Sequence, residues 1–174
     1  CVEDGVKLAK IAPGPGYEIT CSLDFDHPLI STKPFVFNFS EQNFRNDLCG
    51  ARTFGFAQDV ELLRQNGLAL GGSLENAVVI DGFEIVNPDG LRFADEFVRH
   101  KILDVIGDLS LVGMPIIGKV TMHCSGHAMN ARLVNAVLSD SRAYDIVELN
   151  ESFEPGLMAT MGDLSLLESA NSLA

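Results

Sequence analysis

The sequence has few basic residues: 12 lysines and arginines stand against 24 aspartates and glutamates, and the formal net charge is -12. Proteins that bind nucleic acid neutralise its phosphates with clustered lysine and arginine, so we expect no nucleic-acid partner. The sequence also lacks a run of eighteen or more apolar residues and the pattern of an N-terminal signal peptide. We therefore expect a protein without a membrane span that is located in the cytoplasm.

Cysteine is sparse, and its spacing does not form a metal-binding pattern. The four cysteines show no C-x-x-C pair and are too few for a disulfide scaffold, so we expect reduced thiols and no cysteine ligand. The length of 174 residues and the 47% hydrophobic content suffice for one core without such staples. The chain starts at Cys1 instead of methionine, and its first residues already alternate like a strand, so we expect a fragment.

Alternation of polar and apolar residues predicts strands, and helical periodicity with capping signals predicts helices. Strands are predicted at 17–25, 36–39, 116–124 and around 145–149, with a hairpin of 77–80 and 83–86 about Asp81-Gly82. Helices are predicted at 41–48 (capped by Ser40), 58–65, 94–111 and 128–138. This mixture predicts the α+β class, a two-layer α/β sandwich in a single domain at 1–150. The acidic segment 151–174 is expected to be a poorly ordered tail.

The longest predicted helix has two different faces. Its apolar residues at Val98, Ile102, Val105, Ile106 and Leu109 share one broad sector and should pack on the sheet. The opposite face carries His100 and Asp104 one turn apart, a spacing that can chelate a single metal ion. Imidazole nitrogen and carboxylate oxygen suit Zn²⁺. From the spacing alone, a surface ion pair is the more common explanation of the same two residues.

Two further polar residues could reach the same cleft. Asp108 lies one more turn along that helix, and His127 lies in the turn where a strand leads into a helix. A carboxylate beside an imidazole favours the charged imidazolium, so the pair could tune a general acid or a cationic stabiliser. A hydrogen-bonded structural histidine at a helix start is the alternative.

Several long blocks occur that resemble those of the UDP-3-O-acyl-N-acetylglucosamine deacetylase family. They occur in the family's order: "LDFDHP" (23–28), "ARTFGF" (51–56), "GLALGGSLENAVV" (67–79), "GLRFADEFVRHKILDVIGDL" (90–109) and "SGHAMN" (125–130). The resemblance implies zinc-dependent hydrolysis of the acetamide of UDP-3-O-(3-hydroxyacyl)-N-acetylglucosamine, a step of lipid A biosynthesis in Gram-negative bacteria. It also implies an inserted β-α-β element in the sandwich.

The resemblance assigns roles to individual residues. His100 and Asp104 match two zinc ligands, and Lys101 matches a substrate-contacting lysine. His127 matches the catalytic histidine and Asp108 its carboxylate partner. Thr53 matches a threonine that steadies the oxyanion of the attacked amide; the alternative for Thr53 is a turn hydroxyl.

The resemblance also implies where the substrate lies. Asp24 and Phe25 match a uridine-facing segment, and Phe54 and Phe56 border the substrate, although aromatic residues at such spacing are often core. An acyl passage in the inserted element is implied to involve Val60, Ala69, Ala77 and Val79, with Gly72 and Ser73 in the adjoining loop. Simple packing of helix on strand, and a tight turn at the glycines, are the alternatives.

The sequence departs from the family in one respect. The family's first domain contributes a Glu-His dipeptide, with glutamate as general base and histidine as third zinc ligand, and no such dipeptide occurs in this sequence. The resemblance therefore implies the C-terminal half of the enzyme, with the missing N-terminal domain as its partner and little activity alone. The alternatives are a non-catalytic nucleotide- and acyl-chain-binding module, and another amidohydrolase on the same scaffold.

Overall fold

The computed structural model describes residues 1–148, apart from the side chain of Glu61. The tail predicted at 151–174 lies outside the described residues. Within them, no helix combines the length and the apolarity that crossing a membrane requires.

The described chain contains eight strands in two sheets. The strands are β1 (Val2–Asp4), β2 (Lys7–Ala12), β3 (Tyr17–Ser22), β4 (Phe35–Asn38), β5 (Thr53–Phe56), β6 (Ala77–Asp81), β7 (Glu84–Ile85) and β8 (Gly118–His123). The larger sheet has the order β1-β2-β8-β3-β4, and only its central β3–β8 pair is parallel. The smaller sheet has the order β5-β6-β7.

Four helical segments accompany the sheets. They are α1 (Glu41–Asn43, continued by a π-helical turn at Phe44–Leu48), α2 (Ala57–Gln65), α3 (Glu96–Leu109, continued by a 3₁₀ turn at Ser110–Val112) and α4 (His127–Leu138). Ser40 caps α1 as predicted, because its hydroxyl accepts a hydrogen bond of 3.0 Å from the Asn43 N–H. The second half of this helix winds more widely than predicted, with the Cys49 N–H donating to the Phe44 carbonyl.

The core lies between the five-stranded sheet and the helices α3 and α4. From the predicted apolar face of α3, Val98, Ile102, Val105 and Leu109 are buried, and Ile106 is half-buried. These side chains belong to one cluster with the inward-facing residues of the central strands, Ile19, Cys21, Val120 and Met122. The packing confirms the α+β class and the two-layer sandwich, and it turns the opposite face of α3 away from the core.

The inserted β-α-β element is present as predicted. Strands β5 and β6 pair in parallel with α2 as their crossover, and Thr53 lies opposite Ala77. The β6–β7 hairpin also forms, but its loop residues are Gly82 and Phe83, one position later than predicted, since Asp81 pairs with Glu84. Gly82 has a φ of 55°, a conformation that glycine adopts without steric cost.

Two strand predictions need correction. The strand predicted at 17–25 ends at Ser22, so Asp24 and Phe25 lie in the following loop. Residues 145–148 of the predicted final strand form no strand, and their side chains are exposed. Alternation alone does not make a strand without a neighbouring strand to accept its backbone hydrogen bonds.

Candidate functional site

Helix α3 presents His100 and Asp104 together because residues four apart lie on the same face of a helix. His100 Nε2 is 3.2 Å from Asp104 Oδ1, and the two side chains are 19% and 13% exposed. The other carboxylate oxygen, Oδ2, accepts a hydrogen bond of 2.7 Å from Lys101 Nζ. Lys101 therefore orients the Asp104 carboxylate in this structure, and it leaves Oδ1 directed towards the imidazole.

The surroundings of His100 favour its neutral form. Burial lowers the pKa of His100, the Asp104 carboxylate opposes this shift, and the Lys101 ammonium reinforces it. The positive form of His127 also lowers this pKa, which indicates that the two imidazoles lie near each other. His100 Nδ1 is buried without a hydrogen-bond partner, and the Ala51 backbone opposes the lowering of the His100 pKa. A neutral imidazole is the form that binds a metal ion.

Asp108 and His127 form the second polar pair of the site. His127 is the first residue of α4, and its Nδ1 lies 2.8 Å from Asp108 Oδ2, with the two side chains 71% and 23% exposed. The same carboxylate oxygen accepts a hydrogen bond of 2.8 Å from the amide of Asn130, which is fully buried. Sequence reasoning missed Asn130. The available signal was its position three residues after His127, on the same side of α4.

Asp108 follows Asp104 by one helical turn, so both carboxylates lie on the face of α3 away from the sheet. His127 also borders a cavity of about 240 Å³ between the start of α4 and the first hairpin. Lys7 and Arg132 line this cavity, and Arg132 pairs with Asp4 at 3.3 Å. Sequence reasoning singled out neither basic residue, because no local pattern links β2 to α4.

Strand β5 brings Thr53 to the surface beside a buried ion pair. Thr53 is exposed, whereas the preceding Arg52 is 7% exposed and its Nε lies 2.8 Å from Oε1 of the fully buried Glu96. Glu96 also accepts hydrogen bonds from the backbone N–H groups of Arg52 and Arg92. The ion pair was not predicted, and it fixes the strand that carries Thr53 to the N-terminal end of α3.

Aromatic side chains connect the loop after β3 with the inserted element. Phe25 lies with its ring centroid 5.9 Å from that of Phe54 and 6.3 Å from that of Phe56. Phe54 in turn packs edge-on at 4.9 Å against the buried Phe97 of α3. Phe25 is 38% exposed and Asp24 is exposed beside it. The structure therefore brings three of the predicted substrate-contacting aromatic and loop residues together above α3.

The four residues predicted to line an acyl passage are not all equivalent. Ala77 and Val79 alternate with the buried Val78 and Ile80, so they share the opposite, half-buried face of β6. Val60 is half-buried on α2, which packs against β5 and β6. Ala69 is exposed in the loop with a φ of 53°.

The loop with Gly72 and Ser73 is held by its own polar groups. The Gly72 N–H donates to the Ala69 carbonyl at 3.1 Å, and the Ser73 N–H donates to the Asn76 side chain at 2.8 Å. Both residues are exposed. The large apolar side chains around this loop are also exposed: Leu62, Leu68, Leu70, Leu74 and Phe83. The inserted element thus exposes several large apolar side chains around this loop.

Among residues 1–148, no group of three or more histidine, cysteine or acidic side chains is arranged to hold a metal ion. His100 and Asp104 remain a pair of potential ligands, as the sequence indicated. A catalytic zinc site in proteins commonly takes three protein ligands, and this part of the chain offers two of them.

Comparisons with known proteins agree over most of the chain. A family model described as UDP-3-O-acyl N-acetylglycosamine deacetylase matches residues 1–139. The chain is 54% identical over 146 residues to the UDP-3-O-acyl-N-acetylglucosamine deacetylase of Myxococcus xanthus, covering 84% of this chain and 46% of that protein. It is 46% identical over 170 residues to the protein of that name from Anaeromyxobacter dehalogenans, covering 97% of this chain and 55% of the relative. The chain spans about half the length of the curated relatives it matches.

Proposed function

Because the chain belongs to the UDP-3-O-acyl-N-acetylglucosamine deacetylase family, we propose that it is the C-terminal half of a zinc-dependent deacetylase of lipid A biosynthesis. Residues 1–150 are its zinc- and substrate-binding domain. The reaction is hydrolysis of the acetamide of UDP-3-O-(3-hydroxyacyl)-N-acetylglucosamine in the cytoplasm. An N-terminal domain of the same enzyme, outside this chain, supplies the remaining ligand and the general base.

The observation that carries the proposal is the pairing of polar groups in consecutive turns of α3. His100 with Asp104 offers a nitrogen and an oxygen donor to one point in space, and Asp108 holds an imidazole beside them. A surface ion pair alone would not explain why a second carboxylate, Asp108, lies one turn further along the same helix and pairs with the imidazole of His127 from α4. Ligands beside a hydrogen-bonded imidazole are the arrangement that metal-assisted hydrolysis requires.

The donor atoms fit zinc in type and in spacing. Zinc ligands at about 2.1 Å in a tetrahedron lie about 3.4 Å from each other, and the distance from His100 Nε2 to Asp104 Oδ1 is 3.2 Å. The lowered pKa of His100 keeps its imidazole available to a metal ion. Bound there, zinc would supply Lewis-acid polarisation of the amide carbonyl and the attacking water.

The chain's own residues account for the other needs of the reaction. Thr53 is exposed on β5. Its hydroxyl donates a hydrogen bond to the carbonyl oxygen, which becomes negative when the amide is attacked. His127 stabilises that charge or donates a proton to the departing amine, and Asp108 keeps its Nδ1 edge occupied so that Nε2 faces the substrate. Lys101 contacts the substrate from the same face of α3.

The substrate extends across the elements around this site. Phe25 stacks on the uracil base with Asp24 beside it, and Phe54 and Phe56 border the substrate. The acyl chain runs along the apolar surface of the inserted element by Val60, Ala69, Ala77 and Val79, past the loop of Gly72 and Ser73. Exposed leucines around that loop support this path, because clustered exposed apolar side chains are a mark of ligand-binding surfaces.

The proposal is tested by acetate release from UDP-3-O-(3-hydroxyacyl)-N-acetylglucosamine with the full-length protein that contains this chain. We expect turnover by the full-length protein, a loss of about 100-fold or more in His127→Ala, and little turnover by residues 1–174 alone. Normal turnover by His127→Ala contradicts the role of that residue. Nucleotide binding without acetate release by the full-length protein supports a non-catalytic binding module instead.

A further inference from the structure

Two residues of α4 converge on a single oxygen atom of α3. His127 Nδ1 and Asn130 Nδ2 each lie 2.8 Å from Asp108 Oδ2. They are three residues apart at the start of the helix, where the Asn130 N–H already donates to the Gly126 carbonyl at 3.0 Å. The backbone of the first turn therefore fixes the spacing of the two side chains before either meets the carboxylate.

The chemistry of the three groups determines which atoms face each other. A carboxylate can only accept hydrogen bonds, so the atom of Asn130 that faces Asp108 is the amide nitrogen, and the ring nitrogen of His127 that faces it carries the proton. The hydrogen that Asn130 donates is buried, since this residue is 0% exposed. A hydrogen bond to a charged acceptor in such a position is strong and directional.

The amide of Asn130 is placed at a cost to the core. Its Oδ1 atom is also buried, and it has no hydrogen-bond partner. Buried polar atoms without a partner are uncommon and destabilising, so an apolar side chain of this volume would fit the core better. The buried amide offsets this cost by donating a hydrogen bond to Asp108.

His127, by contrast, is held by little else. Its side chain is 71% exposed, so the imidazole can rotate or exchange its proton between the two nitrogens unless the carboxylate stays in place. Asp108 itself keeps one orientation only if something other than His127 fixes it. Asn130 does so from the buried side, and Asp108 then presents the same oxygen to the imidazole.

We propose that Asn130 is a positioning residue that locks Asp108 and thereby keeps the protonated Nδ1 of His127 against that carboxylate, so that Nε2, the nitrogen that takes up the second proton and donates it, faces the substrate. The inference rests on the proposed function of His127 in the deacetylase. Asn130 touches neither the substrate nor the reacting atoms. It acts through Asp108, so its replacement should lower kcat and leave KM nearly unchanged.

The test compares Asn130→Leu and Asn130→Asp with an exposed asparagine on the same helix, Asn135→Leu, in the full-length protein. Asn130→Leu keeps the volume and removes the donor, and Asn130→Asp keeps the shape and places an acceptor against the carboxylate. The ¹⁵N shifts of histidine, recorded where the imidazole is neutral, report which ring nitrogen of His127 carries the proton. Circular dichroism and thermal unfolding show whether each variant is folded.

We expect the Nδ1–H form of His127 in the wild type and in Asn135→Leu. In both Asn130 variants we expect a shift towards the Nε2–H form that free histidine prefers, and kcat lower by about tenfold with KM within about twofold. If Asn130→Asp does not fold, Asn130→Leu decides the question alone. Wild-type histidine signals and wild-type kcat in folded Asn130→Leu overturn the inference, as does a loss of stability without any change of tautomer.

The outcome is separable from the test of the function. The histidine signals report on the three-residue arrangement even where no acetate is released. Unchanged acetate release by His127→Ala overturns the catalytic role of His127, whereas an unchanged tautomer in Asn130→Leu overturns only the positioning role of Asn130.

Discussion

Arg52 Nε lies 2.8 Å from Glu96 Oε1 in a pair that water barely reaches, the two side chains being 6% and 0% exposed. Arg52 directly precedes Thr53 on β5, and Glu96 is the first residue of α3. The ion pair thus connects the strand of the proposed oxyanion donor to the helix of the proposed zinc ligands. The inserted element and the sandwich are joined at the point where the proposed chemistry takes place.

Replacing Glu96 by glutamine should destabilise the protein by about 3 kcal/mol at pH 7, because it leaves the guanidinium of Arg52 buried without its counter-charge. Burial on its own raises the pKa of Glu96, but the hydrogen bonds from Arg52 and Arg92 and the charge of Arg52 outweigh it and lower this pKa. A lowered carboxylate pKa means that the stabilisation is complete above about pH 4.3, the value of unfolded glutamate, and is lost below it.

Urea unfolding of the wild type and Glu96→Gln between pH 3 and pH 7 measures this difference. It should be largest at neutral pH and should shrink as the pH falls through the lowered pKa. Glu41→Gln is the matched control, because Glu41 pairs with Arg45 at the surface, where both side chains are more than 70% exposed, and exposed pairs contribute little. Equal losses at every pH would show that the charge of Glu96 is not what stabilises the junction.

Thr53→Val should lower kcat for acetate release by about 100-fold, the usual effect of removing one donor to a developing oxyanion. The melting temperature should change little, because Thr53 is exposed on β5 and valine keeps its β-branched shape. Steady-state kinetics of the full-length protein measure the effect, with Thr121→Val on β8 as the control. A rise in KM with an unchanged kcat would instead assign the Thr53 hydroxyl to substrate binding.

Ala77→Leu should discriminate between acyl chains of different length. Ala77 is half-buried on the same face of β6 as Val79, so a larger side chain there narrows the proposed path of the acyl chain. We expect kcat/KM to fall by about tenfold for a long-chain substrate and by less than about twofold for one with a short acyl group. Ala136→Leu, at an exposed position on α4, is the control. Equal losses for both substrates would indicate a general packing defect.

The sequence predicted those parts of the site that depend on local geometry. His100 and Asp104 are one turn apart on any helix, so their proximity followed from spacing, and the structure places them 3.2 Å apart. The pairing of Asp108 with His127 joins two helices, so residue spacing offered it only beside a structural alternative, and the family resemblance gave the two residues their roles. Spacing could not reveal Arg52 with Glu96, 44 residues apart, because their contact exists only after the inserted element packs on α3.

The wrong strand at 145–148 has a related cause. Ile146 and Val147 supply the apolar residues of a strand, but they are 68% and 52% exposed, and no strand within residues 1–148 pairs with them. The alternation of polar and apolar residues shows that a segment can form a strand. Whether it joins a sheet depends on a neighbouring strand, which tertiary packing provides. Asn130 escaped notice for the same reason, since its role depends on a carboxylate of another helix.

Zinc content of the full-length protein tests the central claim most directly. After dialysis, metal analysis should find about one zinc per wild-type molecule, and very little in His100→Gln and Asp104→Asn, because each substitution removes one of about three protein ligands. His123→Gln on β8, whose imidazole bonds Ser22 at 2.8 Å instead, should keep its zinc. A wild-type protein without zinc, or full zinc content and normal turnover in His100→Gln, would contradict the account.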